Sequence, residues 1–158
     1  SEPGRVAVHY FRRGFTREQL ASYYEGRSVD ELVDALVDAG VSVLVDVREN
    51  AISRKRGLSK RALAEKLQAR GITYVHEPTL GNPRDNRDGF REQRPDSVAA
   101  FEAHLDRSGS AALDRVDAML RDRTVGLLCF EADPCSCHRS IVARYLLDRD
   151  PLASVRPA

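Results

Sequence analysis

The sequence predicts an α/β fold: a single domain whose mainly parallel, Rossmann-like open sheet is flanked by helices. The first observation is that short apolar runs rich in β-branched residues alternate along the chain with segments of helical periodicity. The second is that Gly40 and Gly71 stand where two of those helices end, each directly before an apolar run. Such alternation is typical of strands joined by helical crossovers, which makes neighbouring strands parallel.

The first helix–strand unit has the clearest pattern. Ser28 and Glu31 have the spacing of a capping box, which predicts that a helix begins directly after Ser28. Apolar residues then recur at intervals of three and four as far as Gly40, as a single buried face requires; they are Val29, Leu32, Val33, Leu36 and Val37. Residues 41–45 follow as a nearly continuous apolar run, which is typical of a strand covered on both faces.

The unit repeats, and further elements complete the predicted sheet. Ser59 caps a second helix that buries Leu63 and Leu67, and a strand is predicted directly after Gly71. The remaining predicted elements are a first strand over residues 6–11, a short helix from a capping box at Thr16 and Gln19 through Tyr24, the strand over 72–76, a long loop over 81–95, helices around 98–107 and 111–121 with residues 108–110 between them, a strand over 124–130, a helix over 138–148 and an edge strand over 153–156.

Composition and charge exclude several classes of protein. With 42% hydrophobic and 31% charged residues, the 158-residue chain is typical of a globular domain and not of a disordered one. Its formal net charge is +1, so overall charge predicts no partner. No apolar run approaches the roughly 18 residues of a membrane span, and the three cysteines, all within residues 129–137, are not a disulfide framework. We therefore expect one domain over residues 1–158, no membrane association and a cytoplasmic location.

Charged residues follow the apolar strands at the predicted carboxyl edge of the sheet, where open α/β sheets bind ligands. Asp46 and Arg48 end the second strand and lie on one face by strand alternation, and Glu131 follows the strand over 124–130. Arg139 lies in the first turn of the next helix, where it opposes the helix dipole and where backbone N–H groups favour an anion. This pattern predicts an anion site, with a purely structural network of ion pairs as the alternative.

Three cysteines and a histidine precede that helix. Cys137 stands beside His138 and Arg139 at the predicted helix N-terminus, a setting that lowers the pKa of a thiol and favours a nucleophilic thiolate. Cys129 ends a strand, where a buried and inert thiol is the common case. The Cys-Ser-Cys-His spacing of residues 135–138 differs from the paired spacing of structural zinc sites. We therefore expect no metal and no cofactor, and keep a thiol or zinc site as an alternative.

Residues 48–70 carry the strongest local charge bias. Eight lysines and arginines, Arg54 among them, stand there against two acidic residues. A basic segment that neutralises phosphates binds nucleic acid with an affinity that falls as salt increases. Tyr74 and Phe90 are the nearby candidates for stacking on bases. The alternative interpretation is a solvated basic helix face.

Several of these segments together resemble one protein family. The matching motifs are Val45-Asp46-Val47-Arg48, Ser53-Arg54, Gly71-Ile72-Thr73-Tyr74, Leu80-Gly81-Asn82-Pro83, Cys129-Phe130-Glu131 with Pro134, and Cys137-His138-Arg139-Ser140. They resemble the domain of unknown function 488 family over roughly residues 26–146. The resemblance implies that the signature positions are Asp46, Arg48, Cys129, Glu131, Cys137, His138 and Arg139. It also suggests that residues 1–20 are an N-terminal extension, and it implies no specific activity.

Three functional hypotheses follow. The first is an enzyme acting on a phosphate-bearing substrate, a nucleotide or a nucleic acid, at the carboxyl edge of the sheet. Its predicted catalytic residues are Asp46, Glu131, Cys137 and His138, and its predicted anion-binding residues are Arg48, Arg54, Arg139 and Ser140. In that scheme Glu131 or Asp46 is the general acid or base and His138 carries a proton. The second is a nucleic-acid-binding module without catalysis, and the third is the thiol or zinc site.

Overall fold

In the part of the chain that the structure describes, five parallel strands form a single open sheet. The computed structural model describes residues 5–7, 29–50, 60–128, 138–149 and 154–156. The strands are β1 (Arg5–Ala7), β2 (Val43–Asp46), β3 (Thr73–His76), β4 (Val125–Leu128) and β5 (Ser154–Arg156), and their order across the sheet is β3-β2-β4-β1-β5. Every paired neighbour runs parallel. The predicted parallel sheet is confirmed, including an edge strand at the end of the chain.

Helices cover both faces of this sheet. They are α1 (Val29–Asp38), α2 (Lys60–Ala69), α3 (Arg87–Arg91), α4 (Pro95–His104), α5 (Ser110–Leu120) and α6 (Arg139–Arg149). One core packs α1 and α2 on the face that carries Leu44, and the other packs α4, α5 and α6 on the face that carries Val45. The molecule therefore has three layers, and β2 contributes to both cores because successive strand residues point to opposite faces. The predicted α/β class with flanking helices is confirmed.

Local chemistry explains where the first two helices end. Gly40 and Gly71 have φ values of 74° and 77°, the left-handed conformation that glycine adopts at low cost after a helix. Each lets the chain turn at once into the following strand. The four residues of β2 are all buried, as the continuous apolar run predicted.

Two stretches differ from the prediction. The expected loop over residues 81–95 contains the 3₁₀ turn Arg84–Asn86 and the helix α3, after a further 3₁₀ turn at Pro78–Leu80. Its polar residues bond within the segment: the Asn86 side-chain amide donates to Asn82 Oδ1 and to the Ser97 carbonyl. These bonds hold turns that the Gly and Pro content alone did not predict.

The second difference concerns the expected break between α4 and α5. Leu105–Gly109 forms a π-helical turn there, so the helical path continues through it. Gly109 is buried, and a β-carbon at that position would stand 3.0 Å from Leu105 Cδ2. The glycine therefore permits close packing in the core and does not mark an exposed linker.

The topology creates a switch point at the carboxyl edge of the sheet. From β2 the chain passes through α2 to β3 on one side, whereas from β4 it passes through α6 to β5 on the other. The connections of these two neighbouring strands thus leave in opposite directions, and such a switch point is where open sheets bind ligands.

None of the helices within the described ranges is long and apolar enough to span a bilayer.

Candidate functional site

A buried ion pair closes the end of β2. Asp46 is 0% exposed and Arg48 is 7% exposed. Arg48 Nε donates to Asp46 Oδ1 at 2.7 Å and to Oδ2 at 3.0 Å, its Nη2 donates to Oδ2, and its backbone N–H donates to Oδ1 at 3.1 Å. The prediction that both side chains share one face is confirmed. The carboxylate fixes the guanidinium plane at the switch point, since a forked contact specifies orientation as well as charge.

Tyr74 on β3 adds a second donor to this carboxylate. The parallel register pairs Leu44 with Tyr74, which brings the phenol to the same face as Asp46. Its hydroxyl donates to Asp46 Oδ2. Burial, and then the hydrogen bond to Asp46, raise the pKa of Tyr74 well above its usual value of 10. The phenol thus stays protonated and continues to donate.

Two imidazoles hold the backbone that carries Arg48. His76 Nε2 lies 2.8 Å from the Arg48 carbonyl oxygen, and His138 Nε2 lies 2.8 Å from the Val47 carbonyl oxygen. The Val47 N–H donates to the Leu128 carbonyl on β4 at 2.9 Å. The segment after β2 is therefore fixed by contacts from both neighbouring strands and from the start of α6.

His138 is neutral at physiological pH. Its ring is buried and lies edge-on to Phe101, with ring centroids 5.3 Å apart. Burial lowers the pKa of His138 to about 4, against an opposing contribution from its bond to the Val47 carbonyl. Because that carbonyl can only accept, Nε2 carries the proton. These properties favour a positioning role over the proton-carrying role that the sequence predicted.

Arg139 begins α6 with its side chain completely buried. It is 0% exposed and is the largest fully buried side chain in the described part of the protein. Burial lowers the pKa of Arg139 well below its usual value of 12.5, because desolvation penalises the charged form. The backbone of Ser140 lies in the same first turn. A guanidinium therefore stands at the N-terminus of the helix that follows β4, as the sequence predicted.

A more exposed pair lies at the rim of this site. Arg87, at the start of α3, has its Nη2 3.4 Å from Glu49 Oε1, and its Nε donates to the Asn82 carbonyl at 3.1 Å. A β-carbon on Gly81 would stand 2.2 Å from the Glu49 backbone nitrogen, so only glycine permits this approach. Arg87 was not among the predicted site residues, and the Leu80-Gly81-Asn82-Pro83 motif is the sequence signal that marks its anchor.

The end of β3 carries a separate ion pair. Arg115 on α5 donates from Nε to Glu77 Oε2 at 2.7 Å and from Nη2 to Oε1 at 2.9 Å. Glu77 is buried, whereas Arg115 is exposed. The Glu77 N–H also donates to the Asp46 carbonyl, which ties this pair to the end of β2. A buried carboxylate satisfied by a fork in this way has a structural role.

The structure brings together part of the predicted site. Asp46, Arg48, His138 and Arg139 all lie at the β2–β4 switch point. Ser140 lies in the first turn of α6, and the other predicted residues, Arg54, Glu131 and Cys137, lie outside the described residues, as do Cys129 and Cys135. Their roles therefore stay predictions. Across the residues that the structure describes, no group of three His, Cys, Asp or Glu side chains could hold a metal ion.

Several cations of the basic segment take part in ion pairs. Lys66 on α2 pairs with Asp30 at 2.7 Å, and Arg70 pairs with Asp34, so two of its cations link α2 to α1. A third, Arg48, is buried against Asp46. Lys66 and Arg70 stay about half exposed, and residues 51–59 lie outside the described part of the chain, so nucleic-acid binding by this segment stays a prediction.

One comparison with known proteins gives a match. Residues 28–146 match the family model described as the domain of unknown function DUF488. No curated protein and no solved structure matches the chain significantly. The matched range contains the whole of the site described above, from Asp46 to Arg139.

Proposed function

Because the chain belongs to the family of the domain of unknown function DUF488, we propose a function from the chemistry of its own residues. We propose that the protein is an enzyme that acts on a phosphate-bearing substrate, a nucleotide or a nucleic acid. The substrate binds in the crevice between the carboxyl ends of β2 and β4, with a phosphate group at the N-terminus of α6.

The observation that carries this proposal is the complete burial of Arg139 in the first turn of α6. A cation at this end of a helix is disfavoured by the dipole, and a buried charge has a high desolvation cost. A phosphate placed at the same helix end attracts that guanidinium and accepts from the first backbone N–H groups. The position at a topological switch point supports the same conclusion.

The neighbouring residues have defined roles in this proposal. Arg48, oriented by Asp46 and Tyr74, presents a second guanidinium from the end of β2. Asp46 accepts from both of those side chains, so we assign it to positioning and leave general acid–base catalysis to Glu131. His138 holds the start of α6 against β2 through the Val47 carbonyl.

The first prediction tests Arg139 by isothermal titration calorimetry with inorganic phosphate, AMP and a short oligonucleotide. We expect the wild-type protein to bind at least one of these and Arg139→Gln to bind it at least tenfold more weakly, since a hydrogen bond to a charged group is worth about 1.5–3 kcal/mol. The matched control is Arg149→Gln, at the exposed C-terminal end of the same helix, where Arg149 pairs with Asp114.

Folding is checked separately, because Arg139 is buried. Circular dichroism and thermal unfolding of Arg139→Gln must show a cooperative native state before its affinity is interpreted. Unchanged affinity in a folded Arg139→Gln protein would contradict the proposal, as would a wild-type protein that binds none of the probes. Release of phosphate or of a cleaved oligonucleotide, lost in Glu131→Gln, then distinguishes an enzyme from a binding module.

A further inference from the structure

The Arg87–Glu49 pair at the rim differs in kind from the buried pair behind it. The side chains of Arg87 and Glu49 are 31% and 34% exposed, whereas those of Arg48 and Asp46 are 7% and 0% exposed. A ligand entering the crevice can therefore reach the rim pair from solvent. Ion pairs that solvent reaches contribute little to the stability of a fold. The Arg87–Glu49 pair therefore does not have the structural role of the buried Arg48–Asp46 pair.

The contact between the two rim side chains is long. Arg87 Nη2 and Glu49 Oε1 are 3.4 Å apart and make a single contact, whereas charge-assisted N–H···O bonds are typically 2.7–2.9 Å and guanidinium–carboxylate pairs often form forks. A phosphate group offers a guanidinium two oxygens at matching spacing. A phosphate placed to form such a fork is thus a better partner for Arg87 than Glu49 is in the single long contact seen here.

Arg87 is nevertheless held in place. Its Nε donates to the Asn82 carbonyl, and the Asn82 side chain accepts from Asn86. Asn82 in turn follows Gly81, whose backbone rests directly on Glu49. The guanidinium is therefore oriented before any ligand binds, which lowers the entropic cost of using it in recognition.

The rim pair is continuous with the main site. Glu49 follows Arg48 directly in the chain, and a β-carbon on Gly81 would also stand 2.9 Å from the Arg48 carbonyl carbon. Arg87 is also close enough for its charge to act on His138: after burial, which dominates, it contributes to the lowered pKa of that imidazole. One substrate can therefore contact both the rim and the N-terminus of α6.

We infer that Arg87 binds a second phosphate group of the substrate and that Glu49 occupies this position when no substrate is bound. This inference rests on the proposed function and narrows the substrate to compounds with two neighbouring phosphate groups. Nucleoside diphosphates and 5′-phosphorylated oligonucleotides share that chemistry, and the experiment below separates them.

The second prediction is a titration of the protein with AMP, ADP and a 5′-phosphorylated dinucleotide. We expect the wild-type protein to bind ADP or the phosphorylated dinucleotide more tightly than AMP. In Arg87→Gln, affinity for the preferred two-phosphate probe falls roughly tenfold while affinity for AMP changes little. In Glu49→Gln, affinity for that probe rises several-fold, because the competing carboxylate is gone. The preferred probe identifies the source of the second phosphate.

Two controls separate this effect from general electrostatics. Arg84→Gln and Glu92→Gln change the same charges at exposed positions flanking α3 and should leave all affinities near wild type. In a double-mutant cycle, Glu49→Gln should have no effect once Arg87 is replaced, because the carboxylate acts through that guanidinium.

The outcomes distinguish the two proposals. Loss of binding in Arg139→Gln together with wild-type affinities in Arg87→Gln and Glu49→Gln would overturn the inference about the rim and leave the proposed function standing. Equal effects of Glu49→Gln with and without Arg87 would also overturn it. A wild-type protein that binds none of AMP, ADP and the dinucleotide would overturn the inference about the rim, and one that also binds neither inorganic phosphate nor the short oligonucleotide would overturn both.

Discussion

Asp46 is the residue on which the contacts of the sheet edge converge. Its carboxylate accepts from the side chain and backbone of Arg48 and from the phenol of Tyr74, all in a buried setting. An ionised carboxylate can be buried only with such compensation. The side chains around it are consequently held in fixed positions, which is what recognition of a small anion requires.

His138 yields the third prediction, which concerns pH. The pKa of His138 is about 4 in the folded protein and near its ordinary value of 6.5 in the unfolded chain. Between these values the unfolded state binds more protons, so the free energy of unfolding falls as pH decreases from about 6.5 to about 4. At 1.36 kcal/mol per pKa unit the loss amounts to roughly 3 kcal/mol. Urea unfolding at a series of pH values measures it.

The variant His138→Gln isolates this contribution, because it keeps a donor for the Val47 carbonyl and cannot titrate. We expect its unfolding free energy to lose roughly 3 kcal/mol less than the wild type over the same pH window. The matched control is His104→Gln, which removes another imidazole that bonds a backbone carbonyl, that of Thr79, but is not buried. An identical pH dependence in wild type and His138→Gln would show that this imidazole does not change its protonation on unfolding.

At the scale of elements, the segment between β3 and α4 determines the shape of the rim. Its 3₁₀ turn at Pro78–Leu80 ends on Gly81, which lies against the backbone of Glu49. Leu80 is fully buried in the core that α4, α5 and α6 share. Leu80 therefore anchors the rim to the core, and the next residue, Gly81, lies against the backbone that follows β2.

The fourth prediction is that Gly81→Ala destabilises the protein by about 1–3 kcal/mol, the usual cost of overpacking. The added carbon would stand 2.2 Å from a backbone nitrogen, so the chain itself must move. Gly89→Ala is the control, since its closest contact is the Ser97 hydroxyl oxygen, part of a rotatable side chain. We expect Gly89→Ala to stay within about 1 kcal/mol of wild type in urea unfolding. Equal stability of the two variants would contradict the close approach.

At the scale of the whole molecule, β2 joins the two cores. Leu44 packs with α1 and α2, and Val45 packs with α4, α5 and α6. Both side chains are almost completely buried. Because neighbouring residues of β2 pack into the two different cores, neither core can lose its packing without disturbing β2. We therefore expect the protein to unfold as one cooperative unit.

The fifth prediction follows from this arrangement. Leu44→Ala and Val45→Ala should each lower the free energy of unfolding by about 2 kcal/mol or more, as buried large-to-small replacements do. Transitions followed by far-UV and by tyrosine near-UV circular dichroism should coincide in both variants. Val37→Ala, at an exposed apolar position on α1, is the control and should change stability by no more than about 0.5 kcal/mol. Separate transitions would show two independently folding layers and contradict the predicted single domain.

The sequence by itself determined the features that depend on local pattern. The buried strand at Val43–Asp46, the helix ends at Gly40 and Gly71 and the shared face of Asp46 and Arg48 all follow from residue periodicity and cap chemistry. These signals act over a few residues, so a single sequence displays them. The same reasoning placed Arg139 at the start of a helix beside the sheet edge.

Only the tertiary structure decided which residues complete the site. Tyr74 meets Asp46 across 28 positions of sequence, and His138 meets Val47 across 91. The parallel register of β2 and β3 and the position of β4 beside β2 create these contacts, and neither leaves a local trace in the chain. The Arg87–Glu49 rim depends in the same way on the approach of Gly81 to the backbone after β2. Such contacts depend on strand order and register. The packing of the two cores sets that order and register, and the residues that meet do not.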